Sequence, residues 1–246
     1  MDKQQGIGLS ELLLALFLAS LMMTALMRQY LSMKQHYHHI QTELEESIEL
    51  TLVTELLRDS IRKAGFTPCL GIEKLTTVDN RNDTKALIAI ETGVEKQSLL
   101  HINRMSEHFD TVLQPISPTE LLITDREPLN RYQSLLIADC YHAEVQTISH
   151  VRHTAEGRVV ALSKPLVFVY QPPIYTGKWL EETYSILHHQ SNGSLFYRLQ
   201  HNEELTPAIH ALSAHLNKRE NQTLLTIILG LEKGRVLRLE TMVRVP

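Results

Sequence analysis

A run of apolar residues near the N-terminus constrains the fold of this chain more than any other feature. Ile7 to Met27 is a stretch of 21 residues in which Glu11 is the single ionisable side chain. As an α-helix this stretch would be about 31 Å long, which matches the hydrocarbon thickness of a bilayer. Because a lone segment in lipid must satisfy its backbone hydrogen bonds internally, the sequence predicts one transmembrane helix.

Three interpretations of this segment compete. A secretory signal peptide has an apolar core of about 7–15 residues followed by a small-residue cleavage site. The run in this chain is longer and continues into Arg28-Gln29-Tyr30. An uncleaved membrane anchor fits the length but leaves Glu11 unexplained, because a carboxylate inside an apolar helix costs roughly 3 kcal/mol and usually marks a function. The third interpretation rests on a resemblance.

The residues from Gly6 to Glu11, G-I-G-L-S-E, resemble the type III signal of type IV pilins and type II secretion pseudopilins. In that family a peptidase cuts after the leader glycine on the cytoplasmic side, and the new N-terminal residue is N-methylated. The fifth mature residue is glutamate. The resemblance therefore implies cleavage after Gly6, methylation of Ile7 and a role for Glu11 in subunit assembly. The usual first mature residue of the family is Phe, and this chain has Ile7.

The position of Glu11 suggests how it would act in assembly. It lies four residues after Ile7, so the new amine and the carboxylate share one helix face. When subunits pack, Glu11 of one subunit can pair with the amine of a neighbour, which avoids leaving either charge alone in hydrocarbon. The alternative is that Glu11 reaches the membrane interface, since it is only about 6 Å from the helix start.

Beyond Met27 the helix is predicted to continue as an amphipathic segment. Its apolar residues recur at helical spacing, at Ile40, Leu44, Ile48, Leu52, Leu56 and Ile61. No proline precedes Pro68, and the sequence from Gly65 to Pro68 is a typical helix stop. We therefore divide the chain into a leader (1–6), a transmembrane half of the helix (7–27), an amphipathic half (28–66) and a β-rich periplasmic body (67–246).

Short β-rich runs separated by turns predict the structure of the body. The runs are Ala86–Ile90, Leu99–Ile102, Glu120–Thr124, Ser134–Ala138, Glu144–Ser149, Arg158–Leu162, Leu166–Tyr170, Tyr184–His188, Leu195–Gln200, Leu224–Leu231 and Val236–Val245. The last two flank Glu232-Lys233-Gly234, which predicts a hairpin. Thr206 as N-cap and Pro207 at the first position predict a short helix over Ala208–Leu216. The expected fold class is α+β and pilin-like, with a long N-terminal helix packed on a mostly antiparallel β body.

The two cysteines, Cys69 and Cys140, form no C-x-x-C motif. In an oxidising compartment we expect one disulfide. It would close a loop of about 72 residues and contribute roughly 4 kcal/mol in the chain-entropy description. Two unpaired buried thiols are the alternative.

Three further segments resemble PilW-type minor pilins. They are the helix end D-S-I-R-K-A-G-F-T-P-C that leads into Cys69, the strand end I-A-D-C at Cys140, and S-L-F-Y-R from Ser194. In that family the two cysteines are expected to pair. With the N-terminal motif, the resemblance covers the first 70 residues and two islands of the body. The related pseudopilin J of type II secretion is a close second match.

The motifs of common enzyme classes are missing from the sequence: it has no G-x-S-x-G, Walker loop, H-E-x-x-H or G-x-G-x-x-G. Cys140 and His142 could form a Cys-His pair, but a disulfide cysteine at a strand end is the simpler interpretation. We therefore expect no catalytic residue, no metal and no cofactor. The net charge of −4 gives no indication of nucleic-acid binding.

The function expected from the sequence is that of a minor pilin in assembly or priming of a type IV pilus, used for adhesion, twitching or DNA uptake. The chain would sit in the bacterial inner membrane with its body in the periplasm, and could enter the pilus. Its partners would be other minor and major pilins, through their N-terminal helices, and the prepilin peptidase. A minor pseudopilin of type II secretion is one alternative. An uncleaved single-span periplasmic protein that binds a ligand through its β body is another.

Overall fold

The computed structural model describes residues 8–81, 85–93, 99–189, 192–219 and 222–243. They form one long helix and a mostly antiparallel β body, so the predicted α+β class is confirmed. The chain falls into two compact units, Met1–Thr51 and Leu52–Pro246.

Helix α1 spans Leu9–Arg62, and the backbone conformation of Gly65 explains where it ends. Gly65 has a φ of 66°, in the left-handed region that glycine adopts without strain after a helix. Its N–H donates to the carbonyl of Asn103 at 2.8 Å. A Cβ at Gly65 would lie only 2.9 Å from the Cβ of Ala89. The helix therefore ends at Arg62, four residues before the predicted boundary at residue 66, where the backbone turns onto the body.

The last turns of α1 pack on the body within the second unit. Val53, Leu57 and Ile61 are buried at helical spacing. Ser60 Oγ lies 2.8 Å from the hydroxyl of Tyr184 in the buried interface. These contacts fix one face of the helix end against the sheet.

The body contains thirteen strands among its described residues. In chain order they are β1 Thr76–Asp79, β2 Ile90–Thr92, β3 Leu99–Ser117, β4 Glu120–Ile123, β5 Ser134–Ala138, β6 His142–Thr154, β7 Gly157–Leu162, β8 Tyr175–His189, β9 Asn192–Arg198, β10 Asn202–Thr206, β11 Ile209–Arg219, β12 Gln222–Leu231 and β13 Val236–Val243.

Six antiparallel strands close into a ring with the order β3-β4-β7-β6-β5-β8 and back to β3. Closure is possible because two long strands change partner along their length. Strand β3 pairs with β8 up to Thr111 and with β4 from Val112, while β6 pairs first with β5 and then with β7. The ring strands and adjoining loops share an aliphatic core of Val112, Leu121, Ile123, Leu129, Leu135, Ile137, Ile148, Val160, Leu162 and Ile174. The β3–β8 pairing closes the ring, while β10 and β2 lie at the two ends of the strand order.

The remaining strands extend this ring or form a second sheet. Strands β9 and β10 continue beyond β8, β2 flanks β3, and β1 adds to β6 in parallel. Strands β11, β12 and β13 make a separate three-stranded antiparallel sheet. Residues Glu232–Gly234 connect β12 to β13, so the predicted hairpin is confirmed.

The predicted helix over Ala208–Leu216 is wrong, because this segment forms strand β11. Thr206 Oγ1 does accept the N–H of Ala208 at 3.0 Å, but the bond closes a turn between strands instead of capping a helix. Leu212, Ala214 and Leu216 alternate along the segment, and β11 pairs with the long apolar strand β12. Tertiary pairing therefore overrides the local cap signal.

Two predicted strands also differ from the structure. Leu166–Tyr170 forms no strand: the N–H of Leu166 donates to the carbonyl of Pro118 in a turn, and donors at Val167 and Gln171 bond to side-chain carboxylates. The N–H of Val167 donates to Glu144 Oε2 at 2.8 Å, and the N–H of Gln171 donates to Asp139 Oδ2 at 2.8 Å. Of the run Ala86–Ile90, only Ile90 is in a strand, where β2 begins.

Candidate functional site

The apolar surface of α1 is the first candidate for a functional surface. Every residue from Leu9 to Met27 is exposed, although most are large and apolar. This segment is about 28 Å long, and α1 is long and apolar enough to cross a membrane. So large an apolar surface is unusual on a protein in water and marks a contact with lipid or with another protein.

The hydroxyl groups in this segment are compatible with an apolar environment. Ser20 Oγ donates to the carbonyl of Phe17 at 2.8 Å, and Thr24 Oγ1 donates to the carbonyl of Leu21 at 2.8 Å. Because each hydroxyl bonds within its own helix, neither needs a water molecule.

Glu11 is exposed in the first turn of α1, where its carboxylate faces the start of its own helix. The N–H of Gly8 donates to Glu11 Oε2 at 3.3 Å. A carboxylate at this end of a helix is stabilised by the free N–H groups and by the helix dipole. The predicted cleavage and methylation residues, Gly6 and Ile7, lie outside the described residues, so their roles stay predictions.

The predicted disulfide between Cys69 and Cys140 is confirmed, with the two Cα atoms 5.3 Å apart. It connects the segment that follows α1 to the end of β5. Beside it, the N–H of Thr76 donates to the carbonyl of Tyr141 at 2.9 Å, where β1 begins to pair with β6. The bond therefore ties the chain after the helix to the closed ring. Because Cys140 is in this bond, it is not available for a Cys-His pair with His142.

A buried carboxylate organises the turn that carries Cys140. Asp139 is fully buried and accepts the N–H groups of Tyr141 at 2.7 Å, His142 at 2.6 Å and Gln171 at 2.8 Å. Burial alone would raise the pKa of Asp139, but these three donors, with a smaller contribution from the His142 ring, hold the pKa below its usual value. The carboxylate thus joins the disulfide turn to the loop before β8, a role that the sequence did not indicate.

This environment predicts a pH-dependent effect of Asp139→Asn. A carboxyl group whose pKa is lowered in the folded state stabilises the fold above its unfolded pKa, about 4, and loses that contribution as the pH falls through the folded pKa. We expect the variant to lose about 2 kcal/mol of unfolding free energy at neutral pH. The loss should shrink as the pH falls below about 4.

The measurement is urea unfolding of the full chain in detergent, compared between wild type and variant across this pH range. Glu156→Gln, in the exposed turn between β6 and β7, is the control and should change little. A difference for Asp139→Asn that stays constant down to about pH 2 would contradict the assignment.

A polar groove of about 530 Å³ is the second candidate site. Arg81 lies in its wall and contacts Asp79 Oδ2 at 2.8 Å, Glu181 Oε1 at 2.7 Å and Ser134 Oγ at 2.7 Å. The indole N–H of Trp179 donates to the same Glu181 oxygen at 3.1 Å. The groove is therefore lined by side chains that already bond to one another.

His101 on β3 and Thr183 on β8 also line the groove, and His101 Nδ1 lies 2.9 Å from Thr183 Oγ1. These residues come from β3 and β8, far apart in the sequence, so no local spacing could have predicted the groove. Among the described residues, no group of three or more His, Cys, Asp or Glu side chains could hold a metal ion.

No protein-family model, curated protein or solved structure matches this chain. Its function is therefore inferred from its residues and their geometry.

Proposed function

We propose that this chain is a minor pilin that helps to assemble or prime a type IV pilus. The position of Glu11 carries the proposal: it is a lone carboxylate in the first turn of an exposed apolar helix, and it is the fifth residue after Gly6. A membrane anchor needs only apolar residues at this position. Because a carboxylate there costs free energy of insertion, its presence indicates a function.

The proposed location is the bacterial inner membrane, with α1 crossing it once and the body in the periplasm. The length and exposure of the apolar segment support the span. The disulfide between Cys69 and Cys140 supports an oxidising compartment for the body, because such bonds persist outside the cytoplasm.

Glu11 would change partner when subunits assemble. In the single chain its carboxylate accepts the N–H of Gly8 at 3.3 Å. After cleavage, the N-terminal amine of a neighbouring pilin would offer a full positive charge in place of this uncharged donor. The bond to Gly8 has a charge only on its acceptor, whereas a pair between the amine and the carboxylate adds the attraction of two opposite charges, which is strong in a medium of low dielectric constant. The exchange would favour association and set the register between the packed helices.

Ion pairs join the end of α1 to strand β3 within the second unit. Lys63 Nζ lies 2.7 Å from Asp59 Oδ2 on the helix and 3.0 Å from Glu107 Oε2 on β3. The bonds to Asp59 and then Glu107 raise the pKa of Lys63, so its charge is retained. With the buried Leu57 and the Ser60–Tyr184 contact, these ion pairs hold the end of α1 on the body within the second unit.

The polar groove favours a second candidate function, the uncleaved single-span periplasmic protein that binds a ligand. Its volume of about 530 Å³ is enough for a small polar molecule. The minor pseudopilin of type II secretion remains an alternative to the pilin, because it would use the same cleavage and the same helix packing.

Cleavage of the leader tests the proposal. We would express the full chain in bacteria with and without the prepilin peptidase, and determine its intact mass and N-terminal sequence from isolated membranes. The expected result is a new N-terminus at N-methylated Ile7 that forms only when the peptidase is present.

Two glycine variants make this test specific. Gly6→Val should block processing, because it changes the residue at the cut, whereas Gly8→Ala should still be processed. An intact Met1 in the presence of the peptidase would contradict the pilin proposal and leave the uncleaved anchor. A cut beyond Met27 would indicate a secreted protein.

A further inference from the structure

In the part of α1 that follows the apolar run, the charged side chains are at first all cationic. No Asp or Glu occurs between Glu11 and Glu43, whereas Arg28 and Lys34 both lie in this interval, with three histidines between residues 36 and 39. The sign then reverses. Five glutamates follow between Glu43 and Glu55, and no Lys or Arg occurs there. The helix thus carries a cationic segment, residues 28–39, followed by an acidic one.

The cationic segment begins where the apolar run ends. Helix α1 is continuous through both. Arg28 directly follows Met27, and Lys34 lies about 10 Å further along the axis. Both side chains are exposed, and neither pairs with a carboxylate among the described residues. A flexible Lys stem can bring its ammonium group back toward the membrane surface.

Two aromatic residues support a membrane-surface position for this segment. Tyr30 and Tyr37 are both well exposed on the helix. Tyrosine is enriched where a transmembrane helix leaves the hydrocarbon, because its ring is apolar and its hydroxyl is polar.

We infer that residues 28–39 bind the headgroups of anionic phospholipids. The phosphodiester of such a headgroup is an anion and can pair with the cations of Arg28 and Lys34. The planar guanidinium of arginine can donate two parallel hydrogen bonds to its oxygens. Lipid surrounds a single span on all sides, so the two cations need not share a helix face. The glutamates beyond residue 42 would be repelled by the same headgroups, which restricts binding to the cationic segment. The inference rests on the membrane span of the proposed function and not on cleavage after Gly6.

The test measures which lipids surround the protein. The full chain is reconstituted in bilayers of phosphatidylcholine with a minor fraction of phosphatidylglycerol. Spin-labelled versions of the two lipids then report the relative association of each with the protein. A cation near a membrane surface contributes about fivefold in affinity for anionic lipid. We expect a preference for phosphatidylglycerol of about fivefold or more at low salt, falling toward no preference at about 0.5 M salt.

Substitutions assign the preference to this segment. Arg28→Gln with Lys34→Gln should abolish it, whereas Arg152→Gln, an exposed cation on β6, should leave it unchanged. Equal association of the two lipids with wild type would overturn the inference, and so would an unchanged preference in the double variant. A third outcome would assign the segment to nucleic acid instead. In that case wild type shows no lipid preference but binds a short DNA duplex tightly, and the double variant does not bind the duplex. Cleavage at Gly6 is measured separately, so either proposal can fail alone.

Discussion

Replacing Leu57 with alanine is expected to lower the unfolding free energy of the body by about 2–5 kcal/mol. Leu57 is 0% exposed in the face of α1 that packs on the sheet. Its removal leaves a cavity that its neighbours cannot fill completely, because the last turn of the helix is held on either side by Val53 and Ile61. The cost therefore combines lost burial with an unfilled cavity.

Denaturant unfolding of the full chain in detergent measures this loss, with Trp179 as probe. It is the only tryptophan in the chain and it is buried in β8. Leu56→Ala is a matched control, since Leu56 is the preceding residue of the same helix and is 36% exposed. Both variants change helix propensity equally, so the control should lose less than about 1 kcal/mol. Equal losses would show that the helix end does not depend on this packing.

Removing the disulfide is expected to lower the unfolding free energy by a similar amount. The double variant Cys69→Ala with Cys140→Ala should lose about 2–5 kcal/mol of unfolding free energy, because the unfolded chain gains the freedom of an open loop of about 72 residues. The loss should also reach the structure around β1. This strand is short, and Thr76–Asp79 pairs with β6 close to the disulfide.

The same unfolding experiment with a reductant separates the bond from the substitutions. Wild type with reductant should unfold at the denaturant concentration of the double variant, and the reductant should not change the double variant further. An unchanged midpoint for reduced wild type would mean that packing around Asp139 holds this turn without the bond.

Hydrogen exchange can show which part of the body loses stability when the disulfide is removed. In the double variant, the amide of Thr76, which donates to the carbonyl of Tyr141, should exchange faster than in wild type. The amide of Leu121 in β4, on the far part of the ring, should retain its protection. Comparable loss at both positions would indicate that the bond stabilises the whole body and not mainly its junction with the helix.

The elements that the sequence predicted well are those specified by neighbouring residues. The absence of proline and the apolar pattern predicted α1, and Gly65 marked its end to within three residues. Two β-rich runs on either side of Glu232–Gly234 predicted the last hairpin. The hydrogen bonds of the helix and the turn of the hairpin both join residues that are close in the chain. A local sequence pattern is therefore sufficient to predict each of them.

The candidate site was predicted only in part. The apolar run and Glu11 were visible in the sequence, and the bond between Cys69 and Cys140 was expected for an oxidising compartment, with two unpaired thiols as the alternative. The carboxylate of Asp139 was not assigned a role, since its donors include Gln171, which lies 32 residues further along the chain. The groove around Arg81 and Glu181 joins residues 100 positions apart.

The sequence by itself thus determined a long apolar helix with one carboxylate at its start, two cysteines able to pair, and a body rich in strands. Tertiary structure alone decided that six of those strands close into a ring, that Ile209–Arg219 is a strand and that Leu166–Tyr170 is not. A strand gains its hydrogen bonds from a partner that can lie anywhere in the chain, whereas a helix gains them from residues four positions away. For this reason the helix could be predicted from sequence and the closure of the sheet could not.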